Sequence, residues 1–130
     1  MPLVRVEIYK GKSDSYKKAI LDGIHAALME AIQIPAEDRY QRLYEMDPPN
    51  VEIAADKSQN YTFIEITLFK GRSLEAKKKL YQAIVNNLAR DPGIDRNDIM
   101  IVLHEPPLEN FGVRGGKPAS EVELTHRIDI

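Results

Sequence analysis

The segment YKGKS occupies Tyr9–Ser13, and the similar segment FKGRS occupies Phe69–Ser73, sixty residues later. The serine that ends each segment is a preferred N-cap residue. An acidic residue follows it, at Asp14 or Glu75, where it interacts favourably with the positive end of a helix dipole. A match at one fixed shift is the signature of an internal repeat. The chain is therefore predicted to contain two copies of one unit, each with a glycine-containing turn that leads into a helix.

The residues on either side of the two segments extend the match. Upstream, apolar and polar residues alternate, as in a half-buried strand, with the apolar positions at Val4, Val6 and Ile8 and at Ile64, Ile66 and Leu68. Downstream, apolar residues recur every fourth position, as one face of a helix requires, at Ile20, Ile24 and Leu28 and at Leu80, Ile84 and Leu88. Asp38 aligns with Asp98, each just before a predicted second strand, at Tyr40–Tyr44 or Ile99–Leu103. Each copy is thus a β-α-β unit.

Two such units define the predicted fold. Residues 2–44 and 62–104 form the units, whose strands run parallel because a helical crossover joins them. The expected α/β (α+β) domain spans residues 1–130, with a pseudo-twofold axis and a four-stranded main sheet that carries both helices on one face. The other face needs a cover, which favours self-association.

Two further stretches complete the prediction for the chain. The polar excursion of residues 45–60 contains a possible short strand at Val51–Ala54. The C-terminal arm of residues 105–130 contains the glycine-rich stretch Phe111–Pro118, for which a hairpin and a mobile loop are both open.

The composition limits the class of protein. Hydrophobic residues make up 43% of the 130 residues, which is enough for one globular core. The 18 basic and 20 acidic residues give a net charge of −2, so no overall charge attracts nucleic acid or anionic lipid. The chain has no cysteine, which excludes disulfides, a thiolate nucleophile and cysteine-based zinc sites. With no signal-peptide pattern and no apolar run long enough for a membrane, a cytoplasmic protein without nucleic-acid or membrane partners is predicted.

Pro2 is the first candidate for chemistry. A small second residue generally allows the initiator methionine to be removed, which would leave a secondary amine at the terminus. A free α-amino group titrates at about 7.7 to 8.0, so it can act as a base, an acid or a nucleophile near neutral pH. If the first strands of the two units are antiparallel, Pro2 approaches the turn that contains Lys70 and Arg72. Two cations there would form a carboxylate site, with Arg72 able to bind in a bidentate manner. The alternative is that both are solvated turn residues.

The chain resembles members of the tautomerase superfamily, whose subunits consist of one or two β-α-β units and use an amino-terminal proline. Within it, residues 34–41 (IPAEDRYQ) are similar to a signature of the malonate semialdehyde decarboxylase group. The resemblance implies that Asp38 corresponds to the group's catalytic aspartate. It also places Lys70 and Arg72 at the positions of two substrate-binding arginines and Phe111 at that of a pocket phenylalanine. It implies a homotrimer and no cofactor.

Asp38 has a second interpretation, because its repeat counterpart Asp98 occupies the same place. Both carboxylates would then hydrogen-bond the turn that enters the following strand.

Other motifs give no site. Gly11-Lys12-Ser13 lacks the upstream glycine of a phosphate-binding loop. His25, His104 and His126 lack metal-ligand spacing and are interpreted as helix, loop and tail residues, so no metal site is predicted.

Three functional hypotheses follow. The first is keto–enol tautomerisation of a small 2-oxo acid, with Pro2 and Asp38 as catalytic residues and Lys70, Arg72 and Phe111 binding the substrate. The second uses the same residues for decarboxylation or hydration of a 3-oxo or unsaturated acid. The third, from a different class, is a non-catalytic ferredoxin-like module that binds a small molecule, in which Pro2 is incidental.

Overall fold

A computed structural model describes the whole chain, residues 1–130. The main sheet consists of β1 (Leu3–Tyr9), β2 (Tyr40–Met46), β3 (Thr62–Thr67) and β4 (Ile99–His104), and the helices are α1 (Asp14–Ile32) and α2 (Leu74–Arg90). The strand order is β2-β1-β3-β4, with β1 and β2 parallel, β3 and β4 parallel, and β1 and β3 antiparallel. This arrangement confirms the predicted pair of β-α-β units around a pseudo-twofold axis.

Both long helices begin at the predicted serine caps. The Oγ atom of Ser13 accepts a hydrogen bond from the backbone N–H of Tyr16 at 3.1 Å, and Ser73 accepts one from Ala76 at the same distance. Each bond satisfies one of the N–H groups that the first turn of a helix leaves without a partner. The glycine turns and their caps therefore direct the chain from the sheet onto one of its faces.

The core lies between that face and the two helices. Alternate strand residues and one stripe of each helix are buried there, among them Val6, Ile24, Ile64, Ile66, Ile84 and Leu88. The helices approach closely at Gly23, where a Cβ atom would lie 3.0 Å from the Cδ2 atom of Leu88. The periodicities seen in the sequence are thus those of core-facing positions.

Two stretches outside the main sheet settle points that the sequence left open. Val51–Ala54 does not form a strand; a 3₁₀ turn at Pro48–Asn50 precedes it, and the N–H of Val51 bonds to the carbonyl of Pro48 within that turn. In the C-terminal arm, β5 (Gly112–Val113) pairs with β6 (Lys117–Pro118) in an antiparallel hairpin. The glycine-rich stretch is therefore a hairpin.

The face of the sheet that points away from the helices carries exposed apolar side chains. Leu3 pairs with Tyr40 in register, and Tyr44 and Met100 lie on the same face. All four are exposed in the single chain. None of the helices has both the length and the apolar character that crossing a membrane would require.

Candidate active site

The antiparallel register of β1 and β3 places the amino terminus at the far end of β3. Leu3 pairs with Thr67, so Pro2 lies beside the start of the second glycine-containing segment. Pro2 is buried, and Phe69 and Arg72, which follow β3, are buried as well. The sheet therefore brings together two parts of the chain that are almost seventy residues apart.

A cavity of about 400 Å³ opens at this end of the sheet. Its walls come from four elements: the amino terminus, the loop before β2, the end of β3, and the C-terminal arm. The residues that form its polar and aromatic surface include Asp38, Tyr40, Phe69, Arg114 and His126.

The amino group of Met1 lies between an acid and an imidazole in this cavity. Its nitrogen is 3.0 Å from the Oδ2 atom of Asp38 and 3.2 Å from the Nε2 atom of His126. The Met1 side chain packs against the apolar cluster that contains Phe69 and Phe111. Burial lowers the pKa of this amine, an effect that the Arg72 charge reinforces and the Asp38 carboxylate opposes.

Asp38 lies in the loop between α1 and β2. The backbone N–H of Asp38 donates a hydrogen bond to the carbonyl of Pro35 at 3.0 Å, which fixes the loop at this point. Nearby, the Nε2 atom of His25, buried on α1, donates to the carbonyl of Ala36 at 2.9 Å. The Asp38 carboxylate faces the amine, so the backbone and a buried histidine fix this carboxylate at the cavity wall.

Arg72 is a buried cation behind the same wall, with 7% of the residue exposed. Its Nη1 atom donates to the carbonyl of Phe69 at 2.9 Å and its Nη2 atom to that of Arg127 at 3.4 Å, whereas its Nε atom has no partner. Burial lowers the pKa of Arg72. A guanidinium with an unused donor in a buried position favours the approach of an anion.

The structure does not bring Lys70 into this cavity. Its side chain is exposed and lies with Pro107, Leu108, Glu109 and Ser120 at a separate shallow depression. Lys70 and Arg72 are two residues apart on a sharp turn, and that turn directs Arg72 inward and Lys70 outward. The two cations predicted to act as a pair are therefore separated.

Phe111 lies outside the cavity and packs against Phe69. Its ring meets that of Phe69 edge to face, with the centroids 4.7 Å apart and an interplanar angle of 78°. The N–H of Ala119 bonds to the Phe111 carbonyl at 2.9 Å, which ties the ring to the hairpin arm. Phe111 itself does not line the cavity, so any effect on a ligand passes through Phe69.

Two cavity residues were missed in the sequence: His126 and Arg114. The His126 side chain is only 4% exposed, and its ring stacks on that of Phe69 at a centroid distance of 6.3 Å. Arg114 lies in the hairpin turn and donates to the carbonyl of Glu123 at 2.6 Å. Neither residue belongs to a periodic or repeated pattern, because the arm has no counterpart in the first unit.

The chain is similar to known proteins along most of its length. Two family models match, each described as a tautomerase enzyme, one over residues 38–114 and the other over residues 2–58. The probable tautomerase YrdN of Bacillus subtilis (strain 168) is 32% identical over 111 residues, which cover 81% of this chain and 84% of that protein. A second probable tautomerase of that strain, YusQ, is 27% identical over 90% of this chain and 96% of its own length.

Solved structures give the same result. A malonate semialdehyde decarboxylase, solved in wild-type, mutant and inactivated forms, is 27% identical, with a TM-score of 0.80 over 87% of this chain and 92% of that one. The FG41 malonate semialdehyde decarboxylase inhibited by 3-bromopropiolate is 28% identical, with a TM-score of 0.82 over 94% and 98% of the two chains. A fused 4-OT solved as a symmetric trimer is 26% identical, with a TM-score of 0.81 over 91% and 96%.

The fold is that of the tautomerase superfamily. The chain belongs to the tautomerase family, and the malonate semialdehyde decarboxylases are among its near relatives.

Proposed function

We propose that this enzyme uses the amino group of Pro2, freed by removal of Met1, to move a proton to or from a carbon atom of a small 2-oxo acid. One observation carries the proposal: the amino end of β1 is buried at the cavity beside the Asp38 carboxylate. The Met1 amine that lies there has a lowered pKa and is 3.0 Å from that carboxylate. Once Met1 is removed, we expect the Pro2 amine to face the same carboxylate and to exchange a proton near neutral pH.

The step from enol to keto acid is written with Pro2 as its ammonium. The ammonium gives a proton to the enol carbon, and the C=C electron pair forms the new C–H bond. The enol hydroxyl loses its proton to a base, and the O–H pair becomes part of the carbonyl bond. Asp38 stabilises the ammonium form by charge, and its position beside the amine holds the N–H in place.

The buried Arg72 is proposed to attract the substrate carboxylate. Its charge acts on both groups that face the cavity, since it lowers the pKa of the amine and that of His126. A carboxylate that reaches the Nε atom, which has no partner, would gain a charge-assisted hydrogen bond. Phe69 then forms the apolar wall beside the reacting carbon.

The proposal is tested by intact mass and by turnover. The purified protein is weighed before and after exposure to 3-bromopropiolate, the acid that inhibits the related FG41 enzyme. We expect loss of Met1 and one adduct that maps to Pro2. Ketonisation of the enol form of phenylpyruvate is followed in parallel, and Pro2→Ala is expected to lower its rate by about 100-fold. A wild-type rate that equals the Pro2→Ala rate contradicts the proposal.

Decarboxylation of a 3-oxo acid is the second candidate. Asp38, 3.0 Å from the Met1 amine, favours the cationic form of an amine at this position, and two malonate semialdehyde decarboxylases are 27% and 28% identical to this chain. In this reaction the bond to the carboxylate carbon breaks, carbon dioxide leaves, and the electron pair of that bond becomes the C=C bond of an enol, while the carbonyl oxygen takes the proton of the Pro2 ammonium. The enol then gains a proton at carbon and loses the one on oxygen to water. Release of carbon dioxide from malonate semialdehyde would support it, and ketonisation without such release would exclude it. Hydration of an unsaturated acid would use the same amine and carboxylate.

A homotrimer is proposed as the assembly. Leu3, Tyr40, Tyr44 and Met100 expose apolar surface on the open face of the sheet. The fused 4-OT that shares this fold is a symmetric trimer. Burial of that face between subunits would remove its apolar surface from water.

A further inference from the structure

His126 is the cavity residue for which the family resemblance assigns no role. Its Nε2 atom accepts a hydrogen bond from the terminal ammonium at 3.2 Å, and its Nδ1 atom lies 3.8 Å from the Oδ2 atom of Asp38. The ammonium is a donor at the cavity wall, and it belongs to the residue bonded to Pro2. The contact therefore shows that an N–H or O–H donor next to Pro2 is within reach of Nε2.

The tail that carries His126 is anchored to the last three residues of the Phe69–Ser73 segment. The carbonyl of Arg127 accepts from Arg72, and the carbonyl of Ile130 accepts from the Oγ atom of Ser73 at 2.9 Å. Between these two bonds, the carbonyl of Ile128 lies so close to Gly71 that a Cβ atom added there would clash with it. The backbone that follows the imidazole is thus held beside the cavity by three contacts.

The charges around the ring keep it neutral. Burial is the largest cause that lowers the pKa of His126; the Met1 ammonium and Arg72 lower it further, while Asp38 raises it. Burial and the Arg72 charge remain once Met1 is removed. Glu37 and Arg114 also line the cavity, and the Arg114 guanidinium is directed to the carbonyl of Glu123. The pKa of His126 therefore lies below the ordinary value of 6.5, so Nε2 has a free lone pair at neutral pH.

We propose that His126 is the oxygen-side base of the reaction, which takes the enol hydroxyl proton on Nε2 while Pro2 delivers a proton to carbon. This inference rests on the proposed function. The O–H bond breaks and its electron pair enters the carbonyl bond, while the C=C pair takes the Pro2 proton and forms the C–H bond. The imidazolium and the neutral amine that result exchange protons with water once the keto acid has left, which restores both groups. Asp38, near Nδ1, stabilises the imidazolium.

The experiment compares His126→Gln with Asp129→Asn. Glutamine keeps a polar side chain at the cavity but cannot take up the proton, whereas the Asp129 side chain is exposed and pairs only with Arg127 in the same tail. Ketonisation of the enol form of phenylpyruvate is measured between pH 4.5 and 8, a range set by the ordinary imidazole pKa of about 6.5. We expect kcat of His126→Gln to fall by about 100-fold. For Asp129→Asn we expect a change of less than about threefold.

The pH profile separates a chemical role from a structural one. Wild-type kcat should fall on the acid side as His126 becomes protonated, and this limb should be absent in His126→Gln. Labelling by 3-bromopropiolate should remain within about threefold of wild type, which shows that the site and the Pro2 amine are intact. A His126→Gln enzyme that keeps both wild-type kcat and the acid limb overturns the inference while the Pro2 proposal stands. A wild-type enzyme that neither ketonises nor becomes labelled overturns the proposed function instead.

Discussion

Asp38 and Asp98 stand at equivalent positions in the two repeat units, one before β2 and the other before β4, and their carboxylates have different partners. Asp38 faces the terminal amine at 3.0 Å. Asp98 is buried and accepts hydrogen bonds from the backbone N–H and the hydroxyl of Ser58. The Asp98 carboxylate does not bond the turn that enters its own strand, as was considered for both aspartates; it ties the excursion between the units to the turn before β4.

Asp38→Asn is predicted to change the reactivity of the Pro2 amine without unfolding the protein. Asp38 raises the pKa of the terminal amine, by hydrogen bonding and by charge, so its loss lowers that pKa further. At neutral pH less ammonium remains, so ketonisation slows, by up to about tenfold for each unit of pKa lost. More neutral amine is present, so labelling by 3-bromopropiolate becomes faster. Rates of both reactions at pH 7 check this prediction, and slower labelling would contradict it.

Asp98→Asn is the matched control from the second unit. It removes a buried carboxylate that accepts two hydrogen bonds, so the free energy of unfolding should fall by about 1 to 3 kcal/mol. Urea denaturation measures this change. The labelling rate of the folded fraction should stay at the wild-type value, because Asp98 lies at the other end of the sheet.

Gly71→Ala is predicted to displace the C-terminal tail. Gly71 has a φ of +147°, and an added Cβ atom would meet the carbonyl of Ile128 at 2.4 Å. The variant should lose turnover together with stability, because His126 and the Arg127 carbonyl move with the tail. Thermal denaturation and kcat/KM are the measurements.

The equivalent glycine of the first unit provides the control for that variant. Gly11 has a φ of +117° and nothing within 4 Å of an added Cβ atom. Gly11→Ala therefore introduces backbone strain of about 1 kcal/mol without a clash. Equal losses of turnover in the two variants would show that the tail does not contribute to the site.

Arg72→Ala and Lys70→Ala are predicted to differ. Arg72 is buried behind the cavity and anchors both Phe69 and the tail, whereas Lys70 is exposed at another depression. Loss of Arg72 should raise KM for the enol acid by about tenfold or more, because a charge-assisted contact is lost. Lys70→Ala should change KM by less than about threefold. A larger effect of Lys70→Ala on KM would indicate that Lys70 also binds the substrate.

Met100→Glu is predicted to weaken self-association. Met100 is 50% exposed on the open face of the sheet, where a buried carboxylate would have no partner. Leu74→Glu is the control, since Leu74 is 65% exposed at the start of α2, on the other side of the molecule. Light scattering should give a smaller mass for the first variant and an unchanged mass for the second. Equal masses for the two variants would show that the interface does not include the open face at Met100.

Much of the fold could be predicted because its signals are local and occur twice. Alternation in β1 and β3, a stripe along each helix, and the caps Ser13 and Ser73 all appear in the structure where the sequence placed them. The short strand at Val51–Ala54 did not form: this stretch follows a 3₁₀ turn at Pro48–Asn50 and pairs with no strand. Apolar residues alone do not distinguish an edge strand from an extended loop.

The sequence alone determined the two β-α-β units, with their helix caps and core-facing positions. These features follow from periodic burial and chain connectivity, which every copy of the unit repeats. The antiparallel contact between the first strands, on which the approach of Pro2 to the end of β3 depends, came from the tertiary structure. Only the tertiary structure decided which side chains share the cavity: Arg72 points inward and Lys70 outward, and His126 reaches the amine from the unrepeated tail. The physical reason is that side-chain direction at a turn and the path of an aperiodic arm depend on contacts with residues distant in sequence, which no local pattern encodes.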